Sequence, residues 1–211
     1  MMTPAEGGHV VLVHGVWMNA LAMLPLAWQL QRCGLQVTRF GYQSMLRDLR
    51  ENARRLAGVC ENAGVPLSLV GHSLGGLLIM TMLHSFPQVK AHRVVLLGSP
   101  YVKSAAAQGM ARSAMGRRLL GRTLREWLRQ SRPPIPDGVE VGVIAGDVSV
   151  GLGRLVARLP RPNDGVVMLD ETNVPGATDS IVLHTSHSAM LVSPAVAHAS
   201  CAFLKNGSFG R

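Results

Sequence analysis

The sequence predicts an α/β fold, a mostly parallel sheet of about six strands with helices on both faces, and three observations predict it. Short β-branched apolar runs alternate along the chain with longer segments of helical periodicity. Two of these runs, Val10-Val11-Leu12-Val13 and Val94-Val95-Leu96-Leu97, are apolar without interruption, as strands buried on both faces require. Strand and helix also succeed one another in turn, the order produced by parallel strands joined through crossover helices.

The first strand is expected from His9 to Val13, and the apolar spacing of Leu21 to Arg32 then reads as a helix. Strands at Leu35 to Phe40 and Leu67 to Val70 flank a helical stretch from Met45 to Asn62. Leu74 to Ser85 is helical, Arg93 to Leu97 is a strand, and Ala105 to Gln130 is read as helical throughout. Strands at Val139 to Ala145 and Ile181 to His184 follow, with a closing helix from Pro194 to Leu204. The proline-rich stretches at 132–138 and 159–165 do not separate two core-sized halves, so one domain over residues 1–211 is expected.

A chain of 211 residues that is 47% hydrophobic and 16% charged is too apolar for intrinsic disorder and large enough for a full core. It has no apolar run of membrane-spanning length. Three cysteines, Cys33, Cys60 and Cys201, with no C-x-x-C pair argue against a disulfide framework or a zinc knuckle. Residues 1–8 show no cationic leader, and with the cysteine usage this leads to the expectation of a cytoplasmic protein.

The net charge of +9 is concentrated in one segment, since Lys103 to Arg132 holds eight cations against Glu126 alone. Arg118, Arg122, Arg125 and Arg129 recur at helical spacing beside Leu120, Leu124, Trp127 and Leu128, so an amphipathic basic helix is expected. Only 4% of the chain is aromatic and no reader motif accompanies the charge, which favours a solvated face over nucleic-acid binding.

The chemistry begins at Gly71-His72-Ser73-Leu74-Gly75-Gly76. As a five-residue pattern G-x-S-x-G is weak, but here it directly follows a strand and opens a helix, as a nucleophile elbow requires. The competing reading is a helix-capping serine at an ordinary turn. Acyl-transfer chemistry also needs oxyanion donors, and the backbone N–H groups of Val16, after the first strand, and Leu74, after the serine, are the candidates.

With His14-Gly15-Val16 after the first strand and Gly-His-Ser-x-Gly-Gly at the elbow, the chain resembles the α/β-hydrolase superfamily, and more narrowly its small bacterial lipases and esterases. The resemblance covers nearly the whole chain and implies a minimal α/β-hydrolase fold with the order nucleophile, acid, histidine. It assigns Ser73 as nucleophile. His187, in His187-Ser188-Ala189-Met190, matches the base, while His184 is its rival; His84, His92 and His198 are read as structural. Asp164, in Asn163-Asp164-Gly165-Val166-Val167, matches the acid, and Asp147 is the alternative. Asp170 and Asp179 are read as surface turn residues. His14 is read as positioning its loop.

The expected function is therefore hydrolysis of a carboxylic ester with an apolar acyl group through an acyl-serine, using a Ser-His-Asp triad with no cofactor and no metal. Acyl transfer and thioester hydrolysis use the same groups, and a non-catalytic member that binds a ligand or membrane is the remaining alternative. Trp17, Met18, Leu124 and Trp127 are the expected substrate-binding residues. The segment 103–132 follows the strand ending at Gly98 and is expected to be a helical cap or lid over the acyl site. Met110, Met115, Leu119, Leu120, Leu124, Trp127 and Leu128 would line its inner face, and its outward arginines would meet an anionic membrane surface.

Overall fold

The computed structural model describes residues 8–63, 67–150 and 159–210. The reading of residues 1–7 as leaderless lies outside that range. The six strands are β1 (His9–Val13), β2 (Gln36–Phe40), β3 (Leu67–His72), β4 (Arg93–Leu97), β5 (Glu140–Gly146) and β6 (Asp179–Leu183). All pair in parallel, in the order β2-β1-β3-β4-β5-β6. Parallel pairing brings every strand's carboxyl end to one edge, where the connecting loops gather.

Successive side chains of a strand point to opposite faces, and each face has its own core. Val10, Leu12, Val70, Val95, Leu97 and Ile144 pack against α1 (Leu24–Arg32) and the last helix, Pro194–Asn206. Val11, Val13, Leu69, Val94, Leu96 and Val141 pack on the other face against α2 (Leu49–Glu61) and α3 (Leu74–Ser85). From Leu74 to Leu83 every residue of α3 is buried, so this helix is apolar all round rather than on one stripe.

Two helices begin later than their periodicity suggests. Residues 20–23 form a single 3₁₀ turn before α1, with the Asn19 side chain capping it. The Asp48 carboxylate accepts the Glu51 N–H at 2.7 Å and fixes the start of α2.

The segment 105–130 differs more. Instead of one basic helix it forms three short ones, α4 (Ala105–Ala111), α5 (Ala114–Leu119) and α6 (Gly121–Trp127). Ser104 and Ser113 cap the first two, and Gly121, at φ 71°, turns the chain between α5 and α6. A Cβ at Gly121 would lie 2.7 Å from the Ser44 carbonyl oxygen, which is how closely α6 sits on the loop after β2. The Glu126 carboxylate accepts the Leu49 N–H at 2.6 Å, and the Asn52 amide donates to the Thr123 hydroxyl at 2.9 Å, fastening α6 to the start of α2. The final helix, α7, is Pro194–Asn206, closed by Gly207 in the left-handed region.

Candidate active site

β3 ends at His72 and α3 begins at Leu74, leaving Ser73 alone on the turn with φ 52° and ψ −121°. A non-glycine residue in this region is strained, and surrounding contacts must hold it there. The Ser73 N–H donates to the Leu97 carbonyl at 2.8 Å, and the Ser73 carbonyl accepts the Gly76 N–H at 3.1 Å. A Cβ on Gly75 would collide with the Val13 carbonyl, so only glycine lets the first turn of α3 lie against β1. The serine therefore stands at the carboxyl edge of the sheet, at the positive end of a twelve-residue helix.

Asp164 lies in the connection between β5 and β6, in a turn closed by its own N–H to the Val167 carbonyl and by Gly165 at φ 98°. Its Oδ1 accepts the N–H groups of Val166 and Val167, at 2.9 and 2.7 Å. Its Oδ2 is 2.7 Å from His187 Nδ1, and both residues are buried. A carboxylate facing Nδ1 assigns the ring proton to that nitrogen and leaves the Nε2 lone pair available. The His187 N–H donates to the Asp164 carbonyl at 2.8 Å, so backbone and side chain fix the same pair. Gly98, at φ 53°, runs beside them; a Cβ there would lie 3.0 Å from Asp164 Oδ2 and 3.1 Å from His187 Nδ1. Because the preceding Leu97 carbonyl takes the Ser73 N–H, the end of β4 touches both serine and dyad.

His184 and Asp147, the rivals, pair with each other instead, with His184 Nδ1 3.0 Å from Asp147 Oδ1. The His184 and Asp147 side chains are 87% and 40% exposed, against 8% and 1% for His187 and Asp164.

His72 was legible only as a motif letter, yet it is wholly buried between elbow and dyad, its ring 4.7 Å from that of His187. Burial, reinforced by the neighbouring His187, pushes its pKa down to about 3, so the ring is neutral. Nε2 faces the His187 carbonyl at 2.9 Å and carries the proton; Nδ1 has no partner among the described residues. This bond ties the loop that carries His187 to the residue before the serine.

His14 does the same for the loop after β1. Its Nδ1 donates to the Gly15 carbonyl at 2.8 Å, and its Nε2 accepts the Tyr42 N–H at 3.2 Å, a pattern that one neutral tautomer satisfies. Burial lowers its pKa and keeps it neutral. In a trans peptide C=O and N–H point opposite ways, so holding the Gly15 oxygen fixes the direction of the Val16 N–H. Tyr42, which stacks on His14 at 4.4 Å and donates its hydroxyl to the His14 carbonyl at 3.0 Å, had no signal in the sequence. Neither Val16 nor Leu74 N–H has a protein acceptor among the described residues.

Residues 10–205 match the sequence model of the alpha/beta hydrolase family. The chain belongs to that family. Among solved structures it is similar to a lipase, BlEst2, from Bacillus licheniformis, at 19% identity and a TM-score of 0.78, covering 98% of this chain and 94% of that one. It is also similar to the carboxylesterase CesB from Bacillus subtilis, at 15% identity and a TM-score of 0.58, covering 95% and 85%. A thioesterase domain, NocB, from the nocardicin cluster aligns at 19% identity and a TM-score of 0.64, covering 96% of both chains. At these identities the likeness is one of fold. No curated protein sequence matches the chain.

In this alpha/beta hydrolase a cavity of about 80 Å³ opens at Ser73. Val16, Trp17, Leu74 and Leu77 line it from the sheet side, Val166 and Val167 from the turn at 163–168, and Met110, Leu120 and Leu124 from the segment 103–132. The Glu171 carboxylate links that segment to the turn that carries Asp164, accepting N–H groups of Ala105 at 2.6 Å and Met168 at 3.0 Å. Two expected substrate contacts do not reach the cavity: Met18 packs in the opposite core with α1, and Trp127 is buried in the other core, its ring 6.0 Å from that of Tyr101. Nor do Met115 and Leu119 face inward; α5 turns them to solvent, and Leu128 packs on the core. A larger cleft of about 450 Å³ beside β6 has no histidine, cysteine or carboxylate in its lining. Among the described residues no cluster fit to hold a metal is present, and no helix is long and apolar enough to cross a membrane.

Proposed function

We propose that this alpha/beta hydrolase is a serine hydrolase that cleaves carboxylic esters through an acyl-serine on Ser73. The observation that carries the reading is the buried Asp164–His187 pair, joined through β4 to the strained Ser73 elbow. In this reading His187 Nε2 takes the Ser73 hydroxyl proton as Oγ attacks the ester carbonyl carbon, and Asp164 stabilises the imidazolium. The N–H groups of Val16 and Leu74 receive the oxyanion. His187 then gives the proton to the leaving alcohol as the C–O bond breaks, and the acyl-serine remains. Water attacks the acyl carbon, His187 takes its proton, and Ser73 is released protonated with the acid product.

The cavity's apolar lining suits an acyl group without charge. At about 80 Å³ it is well below the roughly 300 Å³ at the lower end of small-molecule sites, so a short acyl chain fits, and a long one requires α4 and α6 to give way. A series of p-nitrophenyl esters tests this, with short acyl chains turned over fastest. Matched thioesters and added alcohol acceptors, run beside them, measure whether thioester cleavage or acyl transfer outpaces hydrolysis, which would replace the esterase reading.

A further inference from the structure

We propose that the rim of this cavity docks on an anionic lipid surface, inserting Trp17, Leu46, Met115 and Leu119 between phosphates bound by the surrounding arginines. Trp17 follows β1, Leu46 follows β2, and Met115 and Leu119 follow β4, so all four leave the carboxyl edge of one parallel sheet. Their exposures are 51, 69, 72 and 46%, large for apolar side chains of this size. They are also joined. The Trp17 indole N–H donates to the Leu119 carbonyl at 2.7 Å, and Arg122, just after α5, bonds through its N–H to the Met45 carbonyl at 3.1 Å.

Trp17 is held at φ 60°, in the left-handed region that a bulky residue avoids, while half its surface stays in water. Such a conformation keeps the indole at the mouth, where Trp17 is both rim and cavity lining. The charge matches the partner. Arg117, Arg118 and Arg122 are exposed beside these side chains, and among the described residues no carboxylate pairs with them. An acidic protein would answer the arginines but gain little from protruding aliphatic tips. Tryptophan and aliphatic side chains mixed with arginine suit a layer with anionic headgroups above and acyl chains below. The inference deepens the esterase reading and rests on it only for the step after docking, when an apolar ester passes Trp17 toward Ser73.

The test uses the full chain carrying Ser73→Ala, so binding is measured without turnover and a failure of the esterase reading leaves it interpretable. Vesicles of phosphatidylglycerol with phosphatidylcholine should sediment the protein, those of phosphatidylcholine alone far less, and rising salt should weaken the binding. Brominated acyl chains should quench tryptophan fluorescence, and Trp17→Phe should remove most of that quenching. Arg117→Gln with Arg118→Gln should lower partition about 30-fold. Leu46→Glu with Met115→Glu, at exposed positions outside the cavity, should abolish insertion while hydrolysis of a short soluble ester by the otherwise wild-type enzyme is unchanged. Absence of anionic-vesicle binding at low salt would overturn the proposal. So would binding without bromolipid quenching that survives Leu46→Glu with Met115→Glu, an outcome that leaves charge attraction alone, with no inserted side chain.

Discussion

Replacing Asp164 by Asn keeps the shape of the side chain and reverses the proton order around His187. The turn offers Oδ1 two donors, the N–H groups of Val166 and Val167, so the asparagine oxygen stays there. Its NH₂ then faces His187 Nδ1 at the position where Oδ2 now lies 2.7 Å away. A donor opposite Nδ1 drives the proton to Nε2, the nitrogen that must accept from Ser73. The wrong tautomer in a triad costs about 10⁴-fold in kcat, or about 5.4 kcal/mol of barrier. Fold stability should change little, because the two backbone bonds survive. The assay is kcat on a short p-nitrophenyl ester beside a urea unfolding curve. Asp147→Asn is the control, since its partner His184 is 87% exposed and the pair contributes at most about 1 kcal/mol. If Asp164→Asn keeps its rate within tenfold while Asp147→Asn loses it, the reasoning about the proton on Nδ1 is refuted.

His14→Ala frees the Gly15 carbonyl and loosens the Val16 N–H; kcat should fall about 10- to 100-fold, less than the loss of a whole oxyanion donor, and an unchanged kcat would contradict the positioning role. Leu124→Ala should raise the relative rate on longer esters, whereas Trp127→Ala should cost about 3–5 kcal/mol in urea unfolding and leave the chain-length profile alone. Acid stability follows from His72, whose folded pKa of about 3 lies below the free value of 6.5. The unfolded chain takes a proton below pH 6.5 that the folded one refuses, so stability falls as pH drops, by about 1.4 kcal/mol per unit for this residue. His14, also lowered by burial, adds in the same direction; a urea midpoint constant from pH 6.5 to 4 would contradict both.

Continuous apolar runs marked β1 and β4, because a strand buried on both faces admits little else. β3 runs two residues past the expected end, since Gly71 and His72 still pair with Leu96 and Leu97, and the missing Cβ of Gly71 makes room for α3. Arginines spaced as on one helix hid the two breaks in 105–130, which depend on the Ser113 cap and the positive φ of Gly121. The preference for Asp164 over Asp147 came from the resemblance alone, because both follow β5 and only the turn at 163–168 aims one of them at His187. Directions of side chains on irregular loops were equally hidden. Met18 and Trp17 are neighbours in sequence, yet one packs under α1 and the other stands in the cavity mouth. His72 and Tyr42 act through contacts 115 and 28 residues away, which no local pattern records.

The central claim is that Ser73 is the nucleophile served by His187 and Asp164. A fluorophosphonate probe followed by peptide mass spectrometry tests it directly, because the reagent needs an activated serine and no knowledge of the natural ester. The account predicts one adduct, on Ser73, absent in Ser73→Ala and strongly slowed in His187→Ala while His184→Ala labels normally. Labelling of a different serine, or labelling of Ser73 at an unchanged rate in His187→Ala, would contradict it.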